Sequence, residues 1–328
     1  MTVLVVGGAG YVGSHVVRAV AATGERVVVL DDLSTGHRRL VSERVPLHVG
    51  GVEDRARVAR LLVDERVTAV VHCAACSLVD ESVQNPRKYF EANCGGALAL
   101  AGAMLDTGVT RLVLSSTAAV YGEPARAVLD EEHPRRPTNP YGTTKAFIED
   151  LLLAYRAHGL ESVALRYFNA AGADPSGEIG EHHARETHLV PIVLDVALGL
   201  RPQLTVFGAD YATRDGTCLR DYVHVADLAD AHVRALAYLA GGGASTRLDL
   251  GSATGTTVRE VVAAVERVTG RTVAVADGAR RAGDPSTLVA SAARAKQVLG
   301  WTPRRTKIET IVEDAWRWHR GLRQHFAP

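Results

Sequence analysis

With 328 residues, a formal net charge of zero and 47% hydrophobic against 23% charged residues, the composition is that of an ordinary globular protein with room for two lobes. No global field draws such a chain to nucleic acid or to an anionic membrane surface, and no apolar run is long enough to cross a bilayer. Four cysteines in so long a chain do not make a disulfide scaffold, and they read as thiols of a reducing cytoplasm.

The chain opens on "MTVLVVGGAG", which lacks a basic leader and goes straight into a strand, so no signal peptide is expected. A helix follows from Tyr11 to about Ala22. Then come "RVVVLDD" and "PLHVGG" as strands two and three, the helix "EDRARVARLLVDE" and the strand "VTAVVHCAA". A long helix starts near Pro86, and "RLVLSSTAAVYG" carries the fifth strand. "NPYGTTKAFIEDLLLAYRAHG" is a helix with Asn139 as its cap, Pro140 at its first position and Gly159 as its left-handed stop. "SVALRYFNAAG" is the sixth strand. This alternation predicts an α/β fold of the Rossmann type, a doubly wound parallel sheet with helices on both faces. After Phe168 the rhythm is lost, and a smaller C-terminal α/β lobe for the substrate is expected. The division is 1–168 for dinucleotide binding and 169–328 for the second lobe, with a segment near 220–250 returning to the first.

"VVGGAGYVGSH" joins the first strand to the first helix, with Gly7, Gly10 and Gly13 as G-x-x-G-x-x-G. Such glycines allow a tight turn and a close approach of backbone to a pyrophosphate at the helix N-terminus. Asp31, at the end of strand two, is placed for the adenosine ribose hydroxyls. Together with Asp32 it would repel a 2′-phosphate, which favours NAD over NADP. Tyr141 and Lys145 stand one turn apart on one helix face. A free phenol, with a pKa of about 10, is a poor base at neutral pH, but nearby positive charge favours the phenolate. With Thr117 at the end of strand five, this Thr–Tyr–Lys set suits oxidation of a hydroxyl or reduction of a carbonyl.

At these residues the chain resembles the extended short-chain dehydrogenases/reductases. "GGAGYVGSH", "DESVQNP", "SSTAAVYG", "NPYGTTK", "LRYFNAAGADPSGEIGE" and "RDYVHVADLADAH" are similar to the UDP-glucose 4-epimerase family, also called UDP-galactose 4-epimerases. The resemblance implies an isomerase that inverts carbon 4 of a UDP-sugar through a 4-keto intermediate on tightly held NAD. It makes Tyr141 the base, Thr117 a hydrogen-bond partner of the 4-oxygen and Lys145 the group that tunes Tyr141 and reaches the nicotinamide ribose. It sets NAD along Gly7, Gly10, Tyr11, Val12 and Gly13, then Asp31, Asp32, Ser34, Thr35 and Gly36, then Gly51 and Val52. The contact continues along Cys73, Ala74, Ala75, Ser77, Asn93 and Ser115, with Phe168 beside the nicotinamide. The UDP-sugar is implied to meet Asn169, His188 and Leu189 at the diphosphate, and Phe207 near the uracil. Arg220 and Arg281 would clamp phosphate, with Tyr222 nearby and Asp284 on the uridine ribose.

Several residues depart from the family pattern. Gly51 stands where an acid usually meets the adenine amine, so NAD is held less tightly unless a neighbour such as Glu53 substitutes. Ser77 stands where many members have lysine, and His188 where some have asparagine. Leu288 aligns with a position that gates N-acetylated sugars, so UDP-N-acetylhexosamine and UDP-glucuronate remain alternative substrates. A 4,6-dehydratase would carry an acid just after Thr117, where this chain has Ala118 and Ala119. A non-catalytic nucleotide sensor on the same fold is the rival from another class, and the retained Tyr141 and Lys145 argue against it. Cys73 and Cys76 lack a second C-x-x-C, and His182, His183 and His188 match no ligand pattern, so no metal is expected. Trp301, Trp316 and Trp318 read as packing residues. The family usually forms a homodimer, which the helices after Pro86 and Pro140 would build.

Overall fold

The computed structural model describes residues 1–281 and 285–322, and Asp284 lies outside the described residues. The first half runs β1 (Thr2–Val6), α1 (Tyr11–Ala22), β2 (Arg26–Asp31), β3 (Leu47–Val49), α2 (Arg55–Asp64), β4 (Ala69–His72), α3 (Val79–Gln84), α4 (Pro86–Tyr89), α5 (Gly96–Thr107) and β5 (Arg111–Thr117). Next come α6 (Pro140–Tyr155), β6 (Glu161–Tyr167), β7 (Asn169–Ala171), α7 (Leu189–Ala197), β8 (Leu204–Phe207), β9 (Leu219–Arg220), β10 (Tyr222–His224) and α8 (Val225–Ala240). The chain closes with β11 (Thr246–Leu250), β12 (Thr256–Thr257), α9 (Val258–Thr269), β13 (Val275–Gly278), β14 (Thr287–Leu288), α10 (Ala293–Leu299) and α11 (Ile308–His319). Among the described residues no helix is long and apolar enough to cross a membrane.

Seven strands form one parallel sheet in the order β11-β6-β5-β4-β1-β2-β3. Strand β1 shows why it sits at the centre. Side chains alternate across a strand, so an all-apolar run needs cover on both faces. Val3 and Val5 pack with Val16 and Val20 of α1 and Leu228 and Leu236 of α8. Leu4 and Val6 face the other way, onto Leu62 of α2, Leu100 of α5 and Ile148 of α6. The strand order reverses between β1 and β4, the position at which an open α/β sheet offers a crevice at its carboxyl edge.

Two elements differ from the sequence expectation. The helix from Pro86 is continuous to Thr107, but Phe90–Gly95 is a π-helical turn inside it. Such a turn often marks a functional position, and Asn93 lies within it. The sixth strand ends at Tyr167. Beyond Phe168 the chain leaves the sheet, and Asn169–Ala171 pairs with Tyr222–His224 instead. The chain after the sheet has its own apolar cluster, in which Val193 and Leu194 of α7 meet Val261 and Val265 of α9 and Ile311 and Val312 of α11. Local signals fix those helices: a Thr257–Glu260 capping box opens α9. Trp301 and Trp318 are buried, as packing residues would be.

Candidate active site

The β1–α1 turn is shaped by glycine. Gly7 has φ 79°, and a Cβ there would fall 2.5 Å from the Ala74 nitrogen. A Cβ on Gly13 would fall 2.0 Å from the Gly7 carbonyl oxygen. The turn is therefore pressed against both the loop after β4 and the start of α1. Gly10 caps α1 without a side chain, so the first amides of the helix face the turn, an arrangement suited to an anion.

Beside the turn, the buried Asp31 accepts the Ala9 and Leu33 amides, each at 2.9 Å. Burial pushes its carboxyl up, and these two amides oppose the shift. A carboxylate has lone pairs left for two ribose hydroxyls. Gly36 lies close enough that a Cβ there would be 2.8 Å from Asp31 Oδ1. Asp32 is exposed and accepts both the Ser34 amide and its hydroxyl, at 2.9 and 2.7 Å. Thr35 is exposed on the same turn. At Gly51 a Cβ would fall 2.0 Å from Oε1 of Glu53, so the Glu53 carboxylate occupies the place of the missing side chain. Val52 is half-buried next to it. Glycine turn, buried acid and carboxyl edge together fit a dinucleotide.

The loop after β4 is held in two ways. The Cys73 and Ala74 amides donate to the Val6 carbonyl, at 2.8 and 3.0 Å. Asn93 accepts the Cys76 amide at 2.8 Å and donates to the Cys76 carbonyl and to Thr144 Oγ1, both at 3.0 Å. Asn93 therefore ties the loop to α6, and all its polar atoms are used in doing so. Ala75 and Ser77 continue the loop, half-buried and exposed. Burial pushes the Cys73 thiol up to about 11, so it remains protonated beside Ser115.

Helix α6 delivers the reactive pair. Asn139 accepts the Gly142 amide at 2.8 Å, and Pro140 fills the first position. Tyr141 is hydrogen-bonded to Thr117, while burial pushes its phenol up to about 12. Lys145 is buried and donates to the Ser115 carbonyl at 2.8 Å. Burial lowers its ammonium to about 8. Of the groups that favour its charge, Cys73, Glu149 and Cys94 stand out. Lys145 is thus seated on the end of β5, where its charge has been pulled toward the sheet edge. Ser115 Oγ lies 2.8 Å from Nε2 of His232, whose Nδ1 is 2.8 Å from the Leu228 carbonyl. Burial holds His232 down at about 4, so it is neutral. The Leu228 carbonyl can only accept, so Nδ1 carries the proton and Ser115 donates to Nε2.

The residues expected to grip a nucleotide sugar lie on several elements. Phe168 packs with Ala118, Val120 and Leu288. Asn169 donates to the Asp221 carbonyl at 3.0 Å and pairs across the ladder with Tyr222. Arg220 pairs with Leu288 on a parallel ladder. Phe207 ends β8 partly exposed, and the Arg281 guanidinium lies 4.1 Å above its ring, a cation–π contact. His188 caps α7 without a capping bond, and Leu189 is its first residue.

Sequence reasoning missed the charged groups behind the site. Arg166 forks onto Glu149, with Nε to Oε1 at 2.9 Å and Nη2 to Oε2 at 2.6 Å. Ser116, next to Thr117, donates to Glu149 at 2.6 Å. An arginine inside the apolar run "VALRYF" was the available signal. Glu181 and Glu186, close to His188, were also missed.

Comparisons with known proteins point to one family. The sequence pattern of the NAD dependent epimerase/dehydratase family matches residues 3–251. The UDP-glucose 4-epimerase of Lacticaseibacillus casei is 49% identical over 327 residues, covering 99% of each chain. The crystal structure of UDP-glucose 4-epimerase from Brucella ovis in complex with NAD superposes with a TM-score of 0.94 at 45% identity, covering 96% of this chain and 97% of that one. That of the Stenotrophomonas maltophilia enzyme, with bound NAD and formylated UDP-arabinopyranose, gives 0.95 at 40% identity and covers 99% of each. The chain belongs to the NAD dependent epimerase/dehydratase family.

Proposed function

We propose that the protein interconverts UDP-galactose and UDP-glucose by inversion at sugar carbon 4. The observation that carries this reading is the set of buried Thr117, half-buried Tyr141 and buried Lys145 at the carboxyl end of β5, together with a glycine turn that fits NAD. NAD, when bound, accepts a hydride from carbon 4 and gives it back to the opposite face. Tyr141 removes the proton of the 4-hydroxyl and later returns one to the 4-oxygen. Thr117 holds that oxygen, and its bond to Tyr141 favours the phenolate. Lys145 brings a cation to the sheet edge. The 4-keto sugar must turn between the two transfers, so the UDP is gripped and the sugar is not. Asn169, His188, Leu189, Phe207, Arg220, Tyr222 and Arg281 supply the grip, and arginine suits bidentate phosphate contact.

Asp31 takes the adenosine ribose, and Glu53 replaces the adenine contact absent at Gly51. We also read the protein as a cytoplasmic homodimer. Its four cysteines are thiols. Phe90 and Leu98 on the helix after Pro86, and Phe147 and Leu153 on α6, are exposed large apolar side chains that a partner subunit would cover. The test is incubation with UDP-galactose without added reductant, followed by chromatographic separation. UDP-glucose at a fixed equilibrium ratio, with no net NADH, is the expected result. Unchanged UDP-galactose beside turnover of UDP-N-acetylgalactosamine or UDP-glucuronate would reassign the sugar. Inertness toward all three, with NAD still bound, would overturn the enzyme reading.

A further inference from the structure

Between β7 and α7 the sequence "EHHARETH" carries Glu181, His183, Glu186 and His188. The loop folds so that one donor atom from each lies within 4.8 Å of all the others. We propose that these four residues bind a divalent transition-metal ion, zinc by their donor set, which clamps this loop to the start of α7.

Spacing is the first argument. Four ligands at about 2.0–2.2 Å from a tetrahedral zinc lie about 3.3–3.6 Å from one another. His183 Nδ1 is 3.5 Å from Glu181 Oε1 and 3.3 Å from Glu186 Oε2. His188 Nδ1 is 3.3 Å from Glu186 Oε1. A fourth pair, His188 Nδ1 to Glu181 Oε1, is 2.6 Å apart and needs to open by under about 1 Å, and all six pairs lie within 4.8 Å.

The second argument is Glu181 itself. It is 5% exposed, and the groups that face its Oε1 are the two imidazoles, His188 Nδ1 at 2.6 Å and His183 Nδ1 at 3.5 Å. A buried carboxylate needs a positive partner, and a bound cation would take the place of the imidazole proton there. Charge agrees: two carboxylates and two neutral imidazoles sum to two negative charges, which a divalent ion cancels.

The surroundings are also fixed as a metal site requires. Glu186 Oε1 accepts the Thr187 and His188 amides, both at 2.8 Å. Trp318 donates to the Glu181 carbonyl at 2.8 Å, anchoring the loop to α11. Tyr11 donates to the Gly172 carbonyl at 2.7 Å, anchoring the loop's other end to α1. Two imidazoles with two carboxylates and no thiolate suit zinc better than copper(I) or calcium. Four protein ligands make a closed, structural site, and His188 would bind through Nδ1, which leaves its Nε2–H as the donor for the diphosphate. The expectation of no metal weighed the histidines without the two glutamates that the turn brings to them.

The test is independent of turnover. Full-length protein is stripped with a chelator, and zinc is titrated against a chromogenic chelator. One zinc per chain is expected, with affinity lowered by about a hundredfold or more in a His183→Gln/Glu186→Gln double variant. Cobalt added to the stripped wild-type chain should give the intense visible bands of tetrahedral coordination, a reading that does not depend on the variant folding. Zinc affinity equal in wild type and a folded double variant would overturn the proposal, as would cobalt bands absent from the wild type. Either result would leave the cluster as protonated histidines paired with glutamates.

Discussion

Removing Arg166 alone should destabilise the protein more than removing both members of its ion pair. Glu149 and Arg166 are 0% and 1% exposed, and their fork is closed by bonds of 2.9 and 2.6 Å. Breaking such a buried pair from one side costs about 3–5 kcal/mol, because the other charge stays buried, while an apolar pair of similar volume is often neutral. Here Arg166→Met leaves Glu149 with the Ser116 hydroxyl at 2.6 Å and with Arg135 and Arg247, each at 3.3 Å. Those outer guanidiniums are part-exposed and soften the loss, which puts the expected cost near the lower bound, about 3 kcal/mol. In Arg166→Met/Glu149→Leu the buried charge is gone. Ser116 and Tyr121 then lose partners, at about 1 kcal/mol each. The double variant is therefore expected to lie about 1 kcal/mol above the single one. Urea unfolding of wild type and the three variants, at saturating NAD, measures all four corners. Additive costs would refute the argument that the pair acts as one buried unit.

The remaining expectations bear on the site. Tyr141→Phe should lower turnover about a hundredfold to ten-thousandfold while NAD content is unchanged, read by product separation and by cofactor release on denaturation; near-native turnover would remove Tyr141 from the base role. Asp31→Asn should weaken NAD about ten- to hundredfold, and Glu53→Gln by a smaller factor, both measured by cofactor retention on gel filtration. Equal retention in the Glu53 variant would mean that its position over Gly51 has no part in binding. The Tyr121 hydroxyl shares its one hydrogen between the two carboxylate oxygens of Asp249, each 2.7 Å away, yet burial pushes that carboxyl up to about 7 from an ordinary 3.8. A carboxyl raised in the folded state contributes stability that is full below the unfolded value and is lost as pH rises through the folded one. Wild type should therefore lose melting temperature relative to Asp249→Asn between these two values, and parallel melting curves across that range would contradict the shift.

Much of the fold could be read because its signals are local and periodic. Strand β1 is an unbroken apolar run, Asn139 and Pro140 announce α6, and Gly7 and Gly13 announce a turn that tolerates no side chain. The break at Phe168 was not legible. "SVALRYFNAAG" reads as one strand, and only the amide of Asn169 bonding the Asp221 carbonyl, 52 residues away, draws it off the sheet. The π-helical turn around Asn93 was hidden for the same reason, since its cause is contact with Cys76 and Thr144. The reactive residues stood out through spacing on one helix. Their supports did not: His232 reaches Ser115 from a segment 117 residues away, and Glu149, although one turn beyond Lys145 on α6, is marked only by its bonds to Ser116 and Arg166.

The two reactive groups of α6 are shifted in opposite senses by one cause. Burial raises the Tyr141 phenol to about 12 and lowers the Lys145 ammonium to about 8. Desolvation disfavours whichever form is charged, so it works against the phenolate of Tyr141 and against the ammonium of Lys145 alike. Thr117 offsets only part of that resistance. The chain alone therefore holds a neutral phenol, a poor base at neutral pH. A further positive charge at the same sheet edge is what makes removal of the 4-hydroxyl proton feasible, and oxidised NAD carries one. Bound oxidised NAD would therefore supply both the hydride acceptor and the charge that favours the Tyr141 phenolate. A phenol that is neutral again is an acid able to return its proton to the 4-oxygen. In the proposed mechanism the desolvation of Tyr141 would thus suit both halves of a reversible inversion, because the phenol would ionise only beside the oxidised ring.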